Sequence, residues 1–316
     1  MIDRRTFFSG SCVERRTEIR SDPAALAEAL AHPETRFLPV WRERCLVEGD
    51  RPSVFKRDQV LAPDAGPEGA IFLGQLDDRF LFAVSIDAVE PPEIAGDGEF
   101  LGLRELSATL SEADAALIAY AKAMVSWQQR HLYCGVCGVR NRALDGGFLM
   151  ACPDPDCAHK SFPRLDPAVI VLVHRDEYCL LGRQVQWSED RFSTIAGFVE
   201  PGESLEDAIR REVHEETNIN VGRCDYIASQ PWPFPSALMI GYHVDALTQD
   251  IQLNDGELAE ARWLTRDEIA AGAVILPPRF SIAYRLIETW FDLADRPHLA
   301  TLDLPNPPFR SVKRDN

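Results

Sequence analysis

The sequence has no long hydrophobic run, and this absence excludes a membrane-spanning helix. The longest strongly apolar stretch is Ala168 to Val173, far shorter than the roughly 18 to 20 residues that span a bilayer. The N-terminal segment carries arginines but lacks an apolar core of signal-peptide length. We therefore expect a cytoplasmic location and no membrane partner.

Positive charge is also scarce. The 316 residues hold 33 Lys and Arg against 50 Asp and Glu, a net charge of −17. A general attraction to nucleic acid or anionic membrane needs a basic surface, so this balance argues against it. A local exception runs from Arg130 to Arg164, where five basic and three acidic residues leave a slight positive excess.

The chain has no internal repeat and no extended low-complexity segment, and its 46% hydrophobic and 26% charged residues predict a well-packed globular protein. Its length allows two or three domains. We predict an N-terminal α+β domain at 1–130, a cysteine module at 131–163 and a third domain at 164–316. No motif in the first domain predicts chemistry.

Local patterns place several elements. In the first domain we expect a strand over Phe37 to Val47, a hairpin of Ala70 to Leu76 with Phe80 to Ile86, and a helix capped by Ser111. In the third we expect strands mixed with helices, and hence a sheet with helices on both faces. The predicted strands there are 168–173, 178–181, 192–195, 226–229, 238–244 and 262–264, and the last helix contains Phe280 to Phe291.

Four of the eight cysteines form two close pairs, and in a cytosolic chain such clustering indicates metal before disulfide. Cys134-x2-Cys137 is followed, after fourteen residues, by Cys152-x4-Cys157. Four thiolates at this spacing can surround one structural Zn²⁺ in a zinc ribbon. The second pair is wider than usual, so His159 remains an alternative to Cys157. The scattered cysteines are predicted to be small buried hydrophobes: Cys12, Cys45, Cys179 and Cys224.

The segment Gly197 to Ile219 contains an acidic helix. Pro201 and Gly202 form a turn, and Ser204 with Asp207 is a helix-capping signature. At about 100° per residue, an apolar arc faces the core (Leu205, Ile209, Val213) and a polar arc lies opposite (Asp207, Arg210, His214).

The same geometry directs Glu212 and Glu216 inward, with Glu215 at the edge of the apolar arc. Clustered carboxylates that lose hydration need compensation. Arg211 is correctly spaced to supply it through salt bridges. A divalent metal supplies it equally well, because Mg²⁺ and Mn²⁺ favour converging oxygen ligands. Spacing alone leaves both alternatives open.

This segment resembles the Nudix box, Gly-x5-Glu-x7-Arg-Glu-apolar-x-Glu-Glu-x-Gly-apolar. Matching positions are Gly197, Glu203, Arg211, Glu212, Val213, Glu215, Glu216 and Ile219. Asn218 replaces the last glycine, and asparagine is the non-glycine residue best suited to a left-handed backbone.

The resemblance implies a catalytic site. Glu212 and Glu216 would ligate Mg²⁺ or Mn²⁺ with the Gly197 carbonyl, and Glu215 would be a ligand or the general base for water. Glu203 and Arg211 would brace the loop and helix. A further metal-binding glutamate would come from a later loop, with Glu257 the best match and Glu260 its rival.

The run Ser229 to Tyr242, SQPWPFPSALMIGY, suggests the substrate. Its three prolines fix an extended segment that holds Trp232 and Phe234, and rigid aromatics suit stacking on a base or nicotinamide ring. Gln230 can read a base edge or a ribose. Core packing of both aromatics is the alternative interpretation.

The same run resembles the SQPWPFPxS signature of the NADH pyrophosphatase branch of the Nudix family. That resemblance implies hydrolysis of NADH or NAD⁺ to NMN(H) and AMP, removal of NAD caps from RNA 5′ ends as a second activity, and a homodimer. It also implies substrate contacts by six residues: Phe162, Phe198, Gln230, Trp232, Phe234 and Ala283.

The predicted architecture is therefore an N-terminal α+β domain, a zinc ribbon and a Nudix α/β/α sandwich with a mixed sheet. Two other functions remain open. One is a Nudix hydrolase that prefers ADP-ribose or diadenosine polyphosphates. The other is a zinc-ribbon RNA-binding protein whose Nudix fold is not catalytic.

Overall fold

A computed structural model describes residues 6–60, 69–92, 98–107, 109–254 and 256–305. The chain forms two compact units. The N-terminal unit contains Phe8–Leu165 with Pro233–Ser236, and the C-terminal unit contains Met1–Phe7, Asp166–Trp232 and Ala237–Asn316. Over the described ranges, every helix is too short or too polar to cross a bilayer.

The N-terminal unit combines a six-stranded sheet with five helices among its described residues. The strands are β1 (Arg36–Trp41), β2 (Arg44–Glu48), β3 (Arg51–Pro52), β4 (Ile71–Leu76), β5 (Arg79–Ile86) and β6 (Glu99–Gly102). The helices are α1 (Thr17–Arg20), α2 (Pro23–Ala31), α3 (Arg57–Val60), α4 (Leu103–Leu106) and α5 (Glu112–Arg130). The strand order is β3-β2-β1-β5-β4, with β6 on β2 and a parallel pair, β1 and β5, at its centre.

Sequence patterns located some of these elements. The β4–β5 hairpin is confirmed, as is α5, where the Ser111 hydroxyl accepts the Asp114 N–H. The single strand expected over Phe37 to Val47 is wrong. Arg42 and Glu43 both have positive φ and form a tight turn, so this run is the hairpin of β1 and β2.

The cysteine module belongs to the N-terminal unit. It contains three short antiparallel strands, β7 (Arg142–Leu144), β8 (Leu149–Ala151) and β9 (Lys160–Ser161). Outside the module, Cys45 and Cys179 are buried as predicted and Cys224 is half-buried, but Cys12 is exposed.

The C-terminal unit is built around a second six-stranded mixed sheet. Its strands are β10 (Asp166–Arg175), β11 (Tyr178–Gln184), β12 (Ile195–Phe198), β13 (Val221–Trp232), β14 (Ala237–Ala246) and β15 (Leu258–Thr265). Its helices are α6 (Leu205–Thr217), α7 (Arg266–Ala270) and α8 (Ile282–Phe291). The order is β13-β14-β10-β11-β15, with β12 on β10 and a parallel pair of β10 and β14.

Helices cover both faces of this sheet, as the sequence predicted. Ile170 and Leu172 of β10 point into the core beneath α8, and Val169 and Val171 point into the core beneath α6. A strand buried on both faces explains the continuous apolar run from Ala168 to Val173. The strand expected at 192–195 instead runs over Ile195–Phe198, as β12. Phe192 lies before it as a buried residue whose N–H donates to the Ile275 carbonyl.

Candidate active site

Helix α6 begins and ends where its sequence dictates. Ser204 and Asp207 form a reciprocal capping box at its start. At its end Asn218 adopts φ 64° and ψ 8°, the left-handed conformation expected of the residue that replaces the box glycine. The single departure from the motif therefore preserves the backbone geometry.

The faces of α6 also follow the predicted arithmetic. Ile209 and Val213 are fully buried, whereas Asp207, Arg210 and His214 are exposed. Glu216 is only 5% exposed, on the inward side. The helix therefore carries carboxylates into a region that is partly shielded from water.

Arg211 holds three of these carboxylates. Its guanidinium donates to both oxygens of Glu203 (2.6 and 2.8 Å), to Glu212 (2.9 Å) and to Glu215 (3.2 Å). It also donates to the Phe198 carbonyl at 2.9 Å. The paired hydrogen bonds from Arg211 lower the pKa of Glu203 to about 2. Arg211 thus ties the loop before α6 to the helix.

Glu212 occupies space that only a glycine leaves open. A Cβ built at Gly197 would lie 1.9 Å from the Glu212 Cδ and Oε1 atoms. Burial raises the pKa of Glu212, the charges of Glu215 and Glu257 raise it further, and Arg211 opposes the shift. This carboxylate is therefore crowded against the backbone and incompletely compensated.

Glu257 and Glu260 have different surroundings. Glu257 acts electrostatically on Glu212, so it lies on the side of the carboxylate cluster. Glu260 instead pairs with Arg183 at 3.7 Å and with Arg262, and its hydrogen bond with Arg262 lowers its pKa. The ion pairs of Glu260 and the charge effect of Glu257 on Glu212 favour Glu257 as the loop carboxylate nearer the cluster.

The donor chemistry of this cluster fits a hard divalent cation. The side-chain groups that could bind an ion are all carboxylates, and the central one is desolvated beside a glycine whose carbonyl offers a further oxygen. Within the described ranges, the cysteine cluster is the one group of three or more potential ligands whose donor atoms already lie within 4.8 Å of one another. The carboxylates are instead gathered by Arg211.

A separate cavity of about 170 Å³ opens beside α8, and we refer to it as the ring pocket. Trp232 and Ala283, two predicted substrate contacts, line it. Its other lining residues are Ile170, Trp187, Arg191, Ser193, Met239, Pro277, Pro278, Ser281 and Ile282. Small-molecule sites commonly measure roughly 300 to 1,000 Å³, so this cavity fits one flat ring rather than a whole dinucleotide.

Strand register places the ring pocket and the carboxylates at one level of the sheet. Met239 pairs with Ala168, which pairs with Phe198. In the next row Val169 pairs with Gly197. The pocket lies on the α8 face and Glu212 on the α6 face, so β10 positions both.

Gln230 is buried rather than open to a ligand, with 0% of its surface exposed. Its amide nitrogen donates to the Phe7 and Phe280 carbonyls at 3.0 and 2.9 Å, and its oxygen accepts the Ile282 N–H at 2.8 Å. These bonds fix the first turn of α8, which forms one wall of the ring pocket. In this structure Gln230 therefore positions that wall.

The remaining predicted aromatics have separate locations. Phe198 is 60% exposed at the end of β12. Phe162 is also exposed but belongs to the N-terminal unit. Phe234 belongs to that unit too, where it packs edge-on against Phe8 and beneath the Arg104 guanidinium. Among the described residues Phe234 is not part of the ring-pocket lining, and its own contacts match the alternative of core packing.

The four clustered cysteines converge as predicted. The sulfurs of Cys134 and Cys157 are 3.7 Å apart, and those of Cys137 and Cys152 are 3.4 Å apart. A tetrahedral Zn–S site with bonds of about 2.3 Å has sulfur–sulfur edges of about 3.8 Å, so the spacing suits one zinc ion. His159 lies outside the group, and Cys157 completes it.

Comparisons with known proteins agree with these two units. Residues 164–288 match the NUDIX domain, and residues 34–127 match the NADH pyrophosphatase-like rudimentary NUDIX domain. The chain is 34% identical over 295 residues to the NAD-capped RNA hydrolase NudC of Mycobacterium bovis, covering 88% of this chain and 92% of that protein.

A longer relative matches more narrowly. The human NAD-capped RNA hydrolase NUDT12 is 39% identical over 196 residues, which cover 57% of this chain but only 42% of that protein. Among solved structures, a NUDIX hydrolase from Nitrosomonas europaea aligns with a TM-score of 0.41 at 22% identity, over 51% of this chain and 90% of that one.

Proposed function

Because this chain belongs to the NUDIX family, we propose that it hydrolyses the pyrophosphate bond of NADH or NAD⁺, releasing NMN(H) and AMP. The observation that carries the proposal is the Glu212 carboxylate, desolvated against Gly197 and crowded by other acids. The names of the NudC and NUDT12 relatives support a nicotinamide dinucleotide as the substrate.

The catalytic cation is proposed to be Mg²⁺ or Mn²⁺, held by Glu212, Glu215, Glu216 and Glu257 with the Gly197 carbonyl. Such an ion neutralises phosphate oxygens and lowers the pKa of a bound water. Arg211 and Glu203 keep the loop and helix in register through their paired hydrogen bonds. Glu215, the more exposed of the two helix carboxylates that Arg211 contacts, is proposed either as a further ligand or as the base that accepts the proton of the attacking water.

The substrate is proposed to bind with one ring in the ring pocket and its pyrophosphate at the carboxylate cluster. Trp232 supplies a stacking surface and Ala283 part of the wall. Gln230 acts by fixing the start of α8. Phe198 adds an exposed ring beside Gly197, and Phe162 and Phe234 are proposed as further aromatic contacts.

NAD-capped RNA is proposed as a second substrate, because the relatives at 34–39% identity carry that activity in their names. One structural Zn²⁺ per chain in the cysteine module and a homodimeric assembly complete the proposal. Light scattering coupled to size exclusion tests the dimer. The cytoplasmic location stays a prediction from the sequence.

The decisive assay measures hydrolysis of NADH and NAD⁺ by the wild type and by Glu216→Gln. Loss of a catalytic metal ligand should lower the rate roughly tenfold to a hundredfold or more. Glu206→Gln is the matched control, since Glu206 lies on the exposed side of the same helix, and it should retain near wild-type activity. Full activity in Glu216→Gln would refute the catalytic assignment.

Product analysis separates the remaining functions. NMN(H) and AMP in equal amounts support the proposal. A strong preference for ADP-ribose or diadenosine polyphosphates would place the chain elsewhere among Nudix hydrolases. Tight RNA binding without metal and without any hydrolysis would favour the non-catalytic zinc-ribbon alternative.

A further inference from the structure

Arg191 introduces a positive charge into the wall of the ring pocket. Its backbone is fixed on both sides, because the Ile275 N–H donates to the Asp190 carbonyl at 2.7 Å and the Phe192 N–H donates to the Ile275 carbonyl at 3.1 Å. Its guanidinium lies 5.4 Å from the centre of the Trp187 ring. The positive charge therefore lies at a defined place in the pocket wall, over the Trp187 ring.

The side chain of Arg191 is not paired with a carboxylate in the described part of the chain. Arg191 forms neither an ion pair nor a side-chain hydrogen bond with any of the described residues, and its guanidinium lies over the Trp187 ring. Burial lowers its pKa, with no opposing contribution from a carboxylate. An arginine placed in a largely apolar cavity without compensation leaves that cavity electropositive.

The free end of the substrate determines which ring this cavity meets. In NAD-capped RNA the adenosine continues into the chain through its 3′ oxygen, whereas the nicotinamide riboside ends the molecule. A small pocket lined by the start of α8 and by Pro277 and Pro278 suits the terminal ring. The oxidised nicotinamide ring carries a positive charge, and the reduced ring is neutral.

We propose that Arg191 is a specificity-determining residue that makes the ring pocket favour the neutral dihydronicotinamide of NADH over the cationic ring of NAD⁺. This inference rests on the proposed function, since it assigns one end of that substrate. Like charges in a partly desolvated pocket repel more strongly than in water, and salt screens them less. The discrimination is expected mainly in KM rather than kcat, because the pyrophosphate is not touched.

The kinetic test compares kcat/KM for NADH and NAD⁺ in the wild type, Arg191→Met, Arg191→Lys and Arg210→Met. Arg191→Met removes the charge but keeps an unbranched apolar stem, and it should lower the NADH to NAD⁺ ratio about tenfold. Arg191→Lys keeps the charge and should keep most of the preference. Arg210→Met removes an exposed charge from the outer face of α6 and should leave the ratio unchanged.

A binding test separates this inference from the proposed function. Calorimetric titration with NMN, NMNH and AMP, without added Mg²⁺ or Mn²⁺, requires no hydrolysis. The wild type should bind NMNH more tightly than NMN, and Arg191→Met should shrink that difference while leaving AMP affinity unaltered. An unchanged NMN to NMNH ratio in Arg191→Met, or a change confined to AMP, would overturn the assignment. Failure of the wild type to hydrolyse either dinucleotide would refute the proposed function, while the titration would still decide the role of Arg191.

Discussion

The space between Gly197 and Glu212 leaves no room for a methyl group. In Gly197→Ala the new Cβ would meet the Glu212 carboxylate at 1.9 Å, so that side chain must leave its position. The backbone of Gly197 does not have the positive φ that penalises alanine. We therefore expect the fold to survive and hydrolysis of NADH to fall about a hundredfold, as for the loss of a metal ligand. Steady-state kinetics measures the loss of activity, and a thermal melt measures whether the fold survives.

Gly102→Ala is the control for this substitution. A Cβ there meets nothing closer than 3.4 Å, and Gly102 also lacks a positive φ. It should retain both activity and melting temperature. Unchanged activity in Gly197→Ala would show that the position of Glu212 is irrelevant to the chemistry.

Glu257 and Glu260 provide a second comparison between single residues. Glu257→Gln removes a charge that acts on Glu212, and it should raise the Mg²⁺ concentration needed for half-maximal rate roughly tenfold or more. Glu260→Gln should leave that requirement near the wild-type value, because Glu260 is occupied by Arg183 and Arg262. Metal titrations of both variants decide the matter, and the reverse order of effects would exchange their roles.

At this scale the sequence predicted residues that a motif constrains and missed those that only packing identifies. Spacing along a helix indicated that Glu212 and Glu216 point inward. The motif indicated that Asn218 is a left-handed cap. No sequence pattern indicated Arg191, which lies at the ring pocket because its backbone forms a β-bridge with the distant Ile275. Gln230 looked like a ligand-reading amide, but three protein hydrogen bonds occupy it. Such partners depend on tertiary contacts that local patterns do not encode.

The packing of α8 on its sheet predicts a pH dependence. His243 on β14 is buried and lies 2.8 Å from the Leu286 carbonyl of α8, and burial lowers its pKa from 6.5 to about 4. Between about pH 6.5 and pH 4 the unfolded chain therefore binds a proton at His243 that the folded chain does not bind. The stability from neutral His243 is complete above about pH 6.5 and is lost as the pH falls toward 4, by roughly 3 kcal/mol.

Urea unfolding at pH 7 and pH 4.5 measures this effect. His243→Gln should unfold more easily at pH 7 but lose less stability than the wild type between the two pH values. His214→Gln, on the exposed face of α6, should match the wild-type dependence. An equal loss in His243→Gln and the wild type would mean that protonation of this histidine does not couple α8 to the sheet.

Elements were predictable where their signals are local. Ser111 and Ser204 start helices through side-chain caps, and the β4–β5 hairpin follows from adjacent runs. The parallel pairs β1–β5 and β10–β14 were not, because each joins segments separated by other elements. The turn at Arg42 and Glu43 was also missed, since neither residue is a usual choice for positive φ.

Across the whole molecule, the two units share an arrangement that composition did not indicate. Each six-stranded sheet contains a central parallel pair flanked by antiparallel strands. The N-terminal unit matches a rudimentary NUDIX domain at residues 34–127 and has no counterpart of the acidic box in its sequence. A fold retained without its catalytic residues leaves no chemical motif to recognise, so the sequence predicted only a mixed α+β domain.

The cysteine module should depend on zinc for its structure. Strands β7, β8 and β9 are two or three residues long, too short to stabilise a module without a cross-link. Cys137→Ser should lose the bound zinc measured by atomic emission, lower the melting temperature and expose residues 131–163 to limited proteolysis. Cys12→Ser is the matched control, because Cys12 is exposed and outside the cluster, and it should keep one zinc per chain. Purified protein without zinc, or Cys137→Ser with full zinc content and unchanged proteolysis, would contradict this role. Since the candidate zinc ligands are all thiolates and the proposed catalytic ligands all oxygens, omitting Mg²⁺ and Mn²⁺ from the assay should stop hydrolysis while zinc content and melting temperature stay unchanged.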